Sequence, residues 1–212
     1  MLRSYSQEGE DMILRRLFEG YDNAGGGFYV DVGAHHPKRF SNTYCFYKQG
    51  WRGINIDAMP GSMKLFVRVR SRDINIECPV ARERKELIYH VFNDPALNGF
   101  SFEISKSRES AYCQYKIVDR IPMMTRPLAE ILTDYLPKNQ SIDFMNIDVE
   151  GLDYEVVQSN DWDLFRPRIV LVELPESTFE GLKDDPVARF LKEKGYAIYA
   201  KCVNTILFRD ER

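Results

Sequence analysis

Four short apolar runs, each reaching a carboxylate at or near its end, constrain this chain more than any other feature. "FYVDV" (28–32) carries Asp31, "GINID" (53–57) ends on Asp57, "IDFMNIDV" (142–149) carries Asp148 and "RIVLVEL" (168–174) carries Glu173. Runs this short and this apolar suit strands of a parallel sheet covered on both faces, not half-exposed strands that alternate. A further strand, "INIECPV" (74–80), follows a helix-length stretch, and another such stretch at 41–49 separates the first two. Strands divided by helix-length pieces predict βαβ units. "PLAEILTDYL" (127–136) and "LDYEVVQSN" read as helices, as do residues 6–18, with Ile13, Leu14, Leu17 and Phe18 on one face. "NAGGG" (23–27) reads as a flexible break before the first strand. "DPVARFLKEKG" is a helix with Asp185 as N-cap, Pro186 at its first position and Gly195 past its end. "YAIYA" (196–200) and "NTILF" (204–208) close the chain as a hairpin.

The expected fold is therefore α/β: a doubly wound, mostly parallel seven-stranded sheet with a C-terminal antiparallel hairpin. "ELIYHVF" (86–92) and "CQYKIV" (113–118) read as strands on either side of a polar loop, a β insertion around 82–126. One domain is expected over 1–212, with 1–27 as an N-terminal helical cap. With 212 residues and 44% hydrophobic content, the chain is long enough for one three-layer core.

The net charge of -3 offers no global basic field for nucleic acid, and "RLFEG", "FVRVRSRD" and "VARERKE" are expected to be solvated faces. The four cysteines lack a CxxC spacing, which suits reduced intracellular thiols rather than a disulfide frame or zinc site. The charged N-terminus does not read as a signal peptide, and no stretch approaches the roughly 20 apolar residues of a membrane span. A cytoplasmic protein without nucleic-acid or membrane partners is expected. Oligomeric state is not legible.

Ligands of open parallel sheets bind outside the carboxyl ends of the strands, near the switch point. Asp57 lies at such an end, where a carboxylate accepts the two hydroxyls of an adenosine ribose; a turn or helix cap is the plain alternative. Gly33 lets backbone pass close to a ligand, and Asp31 would orient this turn or hold a cationic amino group. No GxGxxG follows the first strand, because "GGG" (25–27) precedes it. An acid in "DVGAHH" would repel a pyrophosphate. An adenosyl cofactor without phosphates, bearing a sulfonium and an ammonium, suits this acidic mouth, and S-adenosyl-L-methionine is that molecule.

The segments "SQEGEDMIL", "GFYVDVGAHHPKRFSNTY", "GWRGINIDAMPGSM", "IDFMNIDVEGLDYEVV" and "RPRIVLVE" together resemble the FkbM-type branch of the class I S-adenosylmethionine-dependent methyltransferases. The resemblance runs from about residue 4 to 174, in order, and the C-terminal hairpin fits the reversed last strand of that fold. It implies transfer of a methyl group to oxygen, commonly a hydroxyl of a sugar or decorated natural product, so the partner is a small-molecule or glycan acceptor. By position, Asp31, Gly33 and Ala34 match the first cofactor motif, Asp57 and Ala58 the ribose motif, and Asp148 and Glu150 the "DVEG" segment. The insertion matches no motif.

A sugar hydroxyl needs a base within reach, or a metal, to become a nucleophile. His35 and His36 follow the first strand beside the expected methionine end of the cofactor, and histidine has a suitable pKa of about 6.5. His36 is favoured because Pro37 stiffens its backbone; one of the pair could instead bond the loop. Asp148 is a further catalytic candidate. Asp148, Glu150 and Glu173, with His36 as a further candidate ligand, offer hard oxygen ligands for Mg2+, against the alternative that Glu150 charges a helix N-terminus. Ser41, Asn42, Thr43 and Glu173 are candidate substrate contacts, and Ser41 could equally cap a helix. Gln7 and Asp11 sit in a family segment without chemistry of their own. Trp51 and His90 read as structural. The competing readings are a metal-dependent nucleotide-sugar transferase using Asp148 and Glu150, a dehydrogenase, and a non-catalytic binding domain.

Overall fold

The computed structural model describes residues 3–20, 26–111, 114–175 and 177–212. Cys113 and most of the "NAGGG" break lie outside them. Seven strands form one sheet in the order β3 (Ile74–Glu77), β2 (Arg52–Asp57), β1 (Phe28–Val32), β6 (Phe144–Ile147), β7 (Ile169–Glu173), β9 (Thr205–Asp210) and β8 (Tyr196–Lys201). The first five run parallel, while β9 pairs antiparallel with both β7 and β8. The chain steps outward from β1 to β3, then returns to place β6 on the other side of β1. The switch point of the doubly wound sheet thus falls between β1 and β6, where Asp31 stands opposite Asn146.

Strand alternation sorts the core into two layers. Phe28, Val30 and Val32 pack with α5 (Leu128–Tyr135), α6 (Asp153–Ser159) and α7 (Pro186–Glu193) on one face. Tyr29 and Phe144 pack with α1 (Glu10–Leu17) and α2 (Tyr44–Lys48) on the other, around Phe18, Phe46 and Trp51. Trp51 is core, as expected. Asp185 caps α7 by accepting from the Val187 and Ala188 amides, with Pro186 at the first position. Among the described residues no helix is long and apolar enough to cross a membrane.

The insertion differs from its sequence reading. β4 (Glu86–Phe92) falls where expected, but its antiparallel partner β5 spans Ile117–Met124, later than "CQYKIV". The expected polar loop holds a helix, α4 (Phe102–Ala111). These elements stand outside the main sheet, where one exposed face deprives both strand and helix of a clean apolar period.

The run "FVRVRSRD" is not a solvated face throughout. α3 (Met63–Val69) occupies its first part, and Arg70, which follows, is fully buried. Its guanidinium pairs with Asp73 at 2.9 Å and donates to the Tyr29 hydroxyl (2.6 Å), Thr43 Oγ1 (3.0 Å) and the Pro37 carbonyl (3.1 Å). A buried charge survives where it is paired and hydrogen-bonded, and here one side chain ties β1, the 35–41 loop and the α3–β3 connection together.

Candidate active site

A cleft of about 880 Å³, open mouth included, lies at the carboxyl ends of β1, β2 and β6. Its floor is backbone. Gly33 adopts a φ of +84°, and a Cβ there would stand 1.7 Å from the Asp148 carbonyl oxygen. The Gly33 and Ala34 amides both donate to the Ile56 carbonyl, so the turn after β1 is pulled onto the end of β2. Asp57 completes this corner, accepting from the His35 amide (2.9 Å) and the Met59 amide (2.8 Å). Burial raises its pKa, opposed by those two bonds. Each carboxylate oxygen takes one backbone donor and keeps lone-pair capacity for a ligand. Ala58 also lines the cleft.

Behind the floor runs a hydrogen-bonded chain of Thr43, Asp31, Asn146 and Asn42, of which Asn146 alone was not singled out in the sequence. Asp31 is 3% exposed, and burial raises its pKa. It accepts from Thr43 Oγ1 (2.9 Å) and from Asn146 Nδ2 (3.0 Å), while Asn146 Oδ1 accepts from Asn42 Nδ2 (2.9 Å). Asp31 also lines the cleft, and its side-chain bonds go to Thr43 and Asn146 rather than to the turn after β1. Ser41 and Thr43, expected at the substrate, line neither cavity: Ser41 accepts from the Tyr44 amide and Thr43 is spent on Asp31 and Arg70. Alternation along the extended strand puts Asp31 and Asn146 on the α2 face, so the Thr43 hydroxyl turns inward to meet Asp31.

The histidines divide their work in the opposite sense to that expected. His35 takes a positive φ of +50°, anchors its amide on Asp57 and lines the cleft, its ring stacked near Phe40 (centroids 6.5 Å apart). His36 does not line the cleft. Its Nδ1 accepts from the Lys38 (3.0 Å) and Arg39 (2.9 Å) amides. A neutral imidazole has one lone pair, and His36 has committed it to the loop backbone. The preference for His36 as base is therefore corrected, because the nitrogen a base needs is occupied. Burial lowers the pKa of both rings.

Opposite His35, Asp148, Glu150 and Glu173 each place a carboxylate oxygen within 4.8 Å of the other two. They do not share a strand face: β6 ends at Ile147, and Glu150 turns back at a φ of +54°. His36 is not among them. Burial, then the neighbouring acids, raises Asp148 well above its ordinary range and Glu173 to about 7. Asp153, which accepts from the Val149 and Gly151 amides, holds this turn, and its pKa is raised to about 6 by burial. Gln7 lines the cleft, whereas Asp11 accepts from Ser4, Tyr5 and Ser6 and only orders the N-terminal segment.

The far wall comes from the insertion: Tyr89, Asn98, Gly99 and Phe100. Gly99 passes Glu150 so closely that a Cβ would meet it at 3.1 Å. Tyr89, Asn98, Gly99 and Asn146 were not among the site residues expected from the sequence. The only sequence signal was "DPALNG", where Asp94 caps a short 3-10 turn that presents Asn98. His90 is buried in β4, its amide bonded to Gly99, as a structural residue.

A reversed β9 inserted beside β7, with a cleft at the β1–β6 switch point, defines the class I methyltransferase fold. A family model for the methyltransferase FkbM domain matches residues 31–198, and the chain belongs to that family. Among solved structures, the methyltransferase FkbM of Methylobacillus flagellatus KT aligns with a TM-score of 0.54 at 11% identity, covering 97% of this chain and 48% of that one. The chain thus spans about half the length of that protein. The Aeropyrum pernix fibrillarin, solved with natively bound S-adenosyl-L-methionine, aligns with a TM-score of 0.48 at 13% identity over 93% of this chain and 74% of its own. The O-methyltransferase of Bacillus cereus, in complex with SAH, gives 0.47 at 12% over 98% and 83%. A comparison with curated proteins found no match.

Proposed function

We propose that this protein is an S-adenosylmethionine-dependent O-methyltransferase whose acceptor is a hydroxyl of a sugar or a sugar-bearing natural product. The observation that carries the reading is the corner at the switch point, where bare backbone at Gly33 meets the Asp57 carboxylate at the end of β2. Membership of a methyltransferase family supports it over the nucleotide-sugar transferase alternative.

The residues present fit the cofactor. Asp57 has acceptor capacity for ribose hydroxyls, and Ala34 and Ala58 leave room beside it. Bound there, S-adenosylmethionine supplies an electrophilic methyl group. His35, held by its own amide on Asp57, receives the acceptor's hydroxyl proton on its imidazole; burial keeps that ring neutral and able to accept at neutral pH. Phe40, Tyr89 and Phe100 offer apolar faces to a sugar ring, and Asn98 a polar contact. A divalent, magnesium-like cation on Asp148, Glu150 and Glu173 belongs to the same reading and is argued on its own ground below. The enzyme would act in the cytoplasm on a small molecule or glycan, not on nucleic acid or a membrane.

Calorimetric titration with S-adenosylhomocysteine, and with a UDP-sugar as control, tests this. Binding of the first to the wild type, weakened at least about tenfold in Asp57→Ala, is expected from the loss of a charge-assisted acceptor pair. Binding of the UDP-sugar alone would overturn it.

A further inference from the structure

We infer that a divalent-cation site lies where the main cleft joins a second, smaller cavity, with Glu150 of the cleft, Glu173 of the smaller cavity and Asp148, which lines both, as its carboxylate ligands, and with the amide of Asn42 in the smaller cavity's wall. The two cavities share Gln7, Phe40, Asn146 and Asp148, so they adjoin, and Asn42 and Glu173 line the smaller one.

Three carboxylates alone would be an acidic patch. What points to a ligand is the direction of the chain behind them. Thr43 Oγ1 accepts from Arg70 and donates to Asp31, which as a carboxylate can only accept. For the same reason Asn146 presents its NH2 group to Asp31 and its oxygen to Asn42. Asn42 then has to donate through Nδ2, and its Oδ1 is left facing the cavity. No amide in this series can be flipped without setting acceptor against acceptor.

Asn42 is 8% exposed, and among the described residues no donor reaches its Oδ1 or the buried Asp148 Oδ1. A buried acceptor without a donor is costly, and the other groups nearby do not relieve it. Thr205 spends its hydroxyl on Glu10, and Glu8 is itself an acceptor, held by Asn204. Apart from Gln7 and the apolar Phe40, the side chains around this cavity carry oxygen lone pairs.

Size agrees with a cation. Oxygens on opposite sides of a magnesium ion stand about 4.2 Å apart, and on calcium about 4.6 to 5.2 Å. The carboxylate oxygens here span at most 4.8 Å, which accepts a larger divalent ion as it stands and magnesium after a small contraction. Asn42 would bind directly or through one water. A cation held by these ligands would keep coordination positions for further oxygens, such as two neighbouring oxygens of a vicinal diol. That last use rests on the methyl-transfer reading; the site itself does not.

The test is direct metal binding to the full chain, without cofactor or acceptor: Mn2+ followed by electron paramagnetic resonance and by calorimetry, with Mg2+ and Ca2+ as competitors. One Mn2+ per chain, displaced by Mg2+, is expected, with affinity at least about tenfold weaker in Glu173→Gln and about threefold or more weaker in Asn42→Ala. Circular dichroism confirms that each variant is folded, and if Asn42→Ala is not, Glu173→Gln carries the comparison. No Mn2+ uptake by the wild type at millimolar concentration overturns the site, as does uptake that neither folded variant alters. Stoichiometric release of Mn2+ by S-adenosylhomocysteine also overturns it, assigning the cavity to the cofactor's ammonium group. Mn2+ uptake without S-adenosylhomocysteine binding would refute only the methyl-transfer reading, and the converse only the cation site.

Discussion

Glu173→Gln removes one charge from the three-carboxylate cluster, and the structure sets both the size and the pH dependence of the effect. Glu173 is raised from 4.5 to about 7 by burial and by the charges of Glu150 and Asp153. A shift of that size corresponds to about 3 kcal/mol at about 1.4 kcal/mol per unit. Coulomb's law agrees: two carboxylates 4.8 Å apart repel by about 3 kcal/mol at an effective dielectric of about 20. Solvent reaches part of this cluster, so about 1 to 2 kcal/mol is the expected net effect after screening. Because the folded-state pKa is raised, the carboxyl favours the fold fully below about pH 4.5, and that contribution is lost as pH rises through about 7. Glutamine mimics the protonated acid and should not show this loss. In EDTA at low salt, the variant should melt roughly 3 to 6 °C above wild type near pH 8 and within about 1 °C of it near pH 5. Thermal unfolding followed by circular dichroism at both pH values measures this. Equal melting near pH 8, or the same offset at both, would refute the argument that charge repulsion is stored here. Adding Mn2+ should raise the wild type and leave the variant nearly unmoved, because only the intact cluster would gain a bound cation.

Gly33→Ala places a methyl group 1.7 Å from the Asp148 carbonyl and forces alanine into a positive φ; a loss of about 3 kcal/mol or more in urea unfolding, or failure to fold, is expected. His35→Ala should lower kcat by about 10² or more while S-adenosylhomocysteine affinity stays within about threefold, and the wild-type rate should fall on the acid side of an inflection below about pH 6.5. His36→Ala should cost about 1 kcal/mol of stability from the lost loop bonds and much less activity; equal kinetic damage from both variants would reject the assignment of the base. Arg70→Met leaves the buried Asp73 carboxylate without its cation, though still bonded to Tyr29, Gly53 and Asn55, and should cost about 3 kcal/mol in urea unfolding.

The parallel sheet was legible because each buried strand is a short apolar run whose acid marks where it leaves the core. Asp57, Gly33 and the three acids were found for the same reason. The misreadings have a common cause, which is that each depends on a partner far away in the chain. Arg70 sits in a charged run that reads as solvent-facing until Tyr29, Thr43 and Pro37 converge on it from other segments. β5 contains Pro122 and exposed charges, and it is a strand because β4 pairs with it beyond the main sheet. Asn146 is hidden in an apolar run, where a lone amide gives no sign of what it meets. His35 and His36 are adjacent and chemically identical, so only the turn at His35 and the amides gathered on His36 Nδ1 distinguish a side chain free to take a proton from one that is not. The orientation of Asn42 is the furthest case. Asparagine has a donor and an acceptor end, and nothing local chooses between them. The choice is made by the Asp31 carboxylate, through Asn146, because a carboxylate cannot donate. The polarity of the smaller cavity is therefore set by a buried acid at the sheet's switch point, and a substitution of Asp31, which does not line that cavity, should reach it through Asn146.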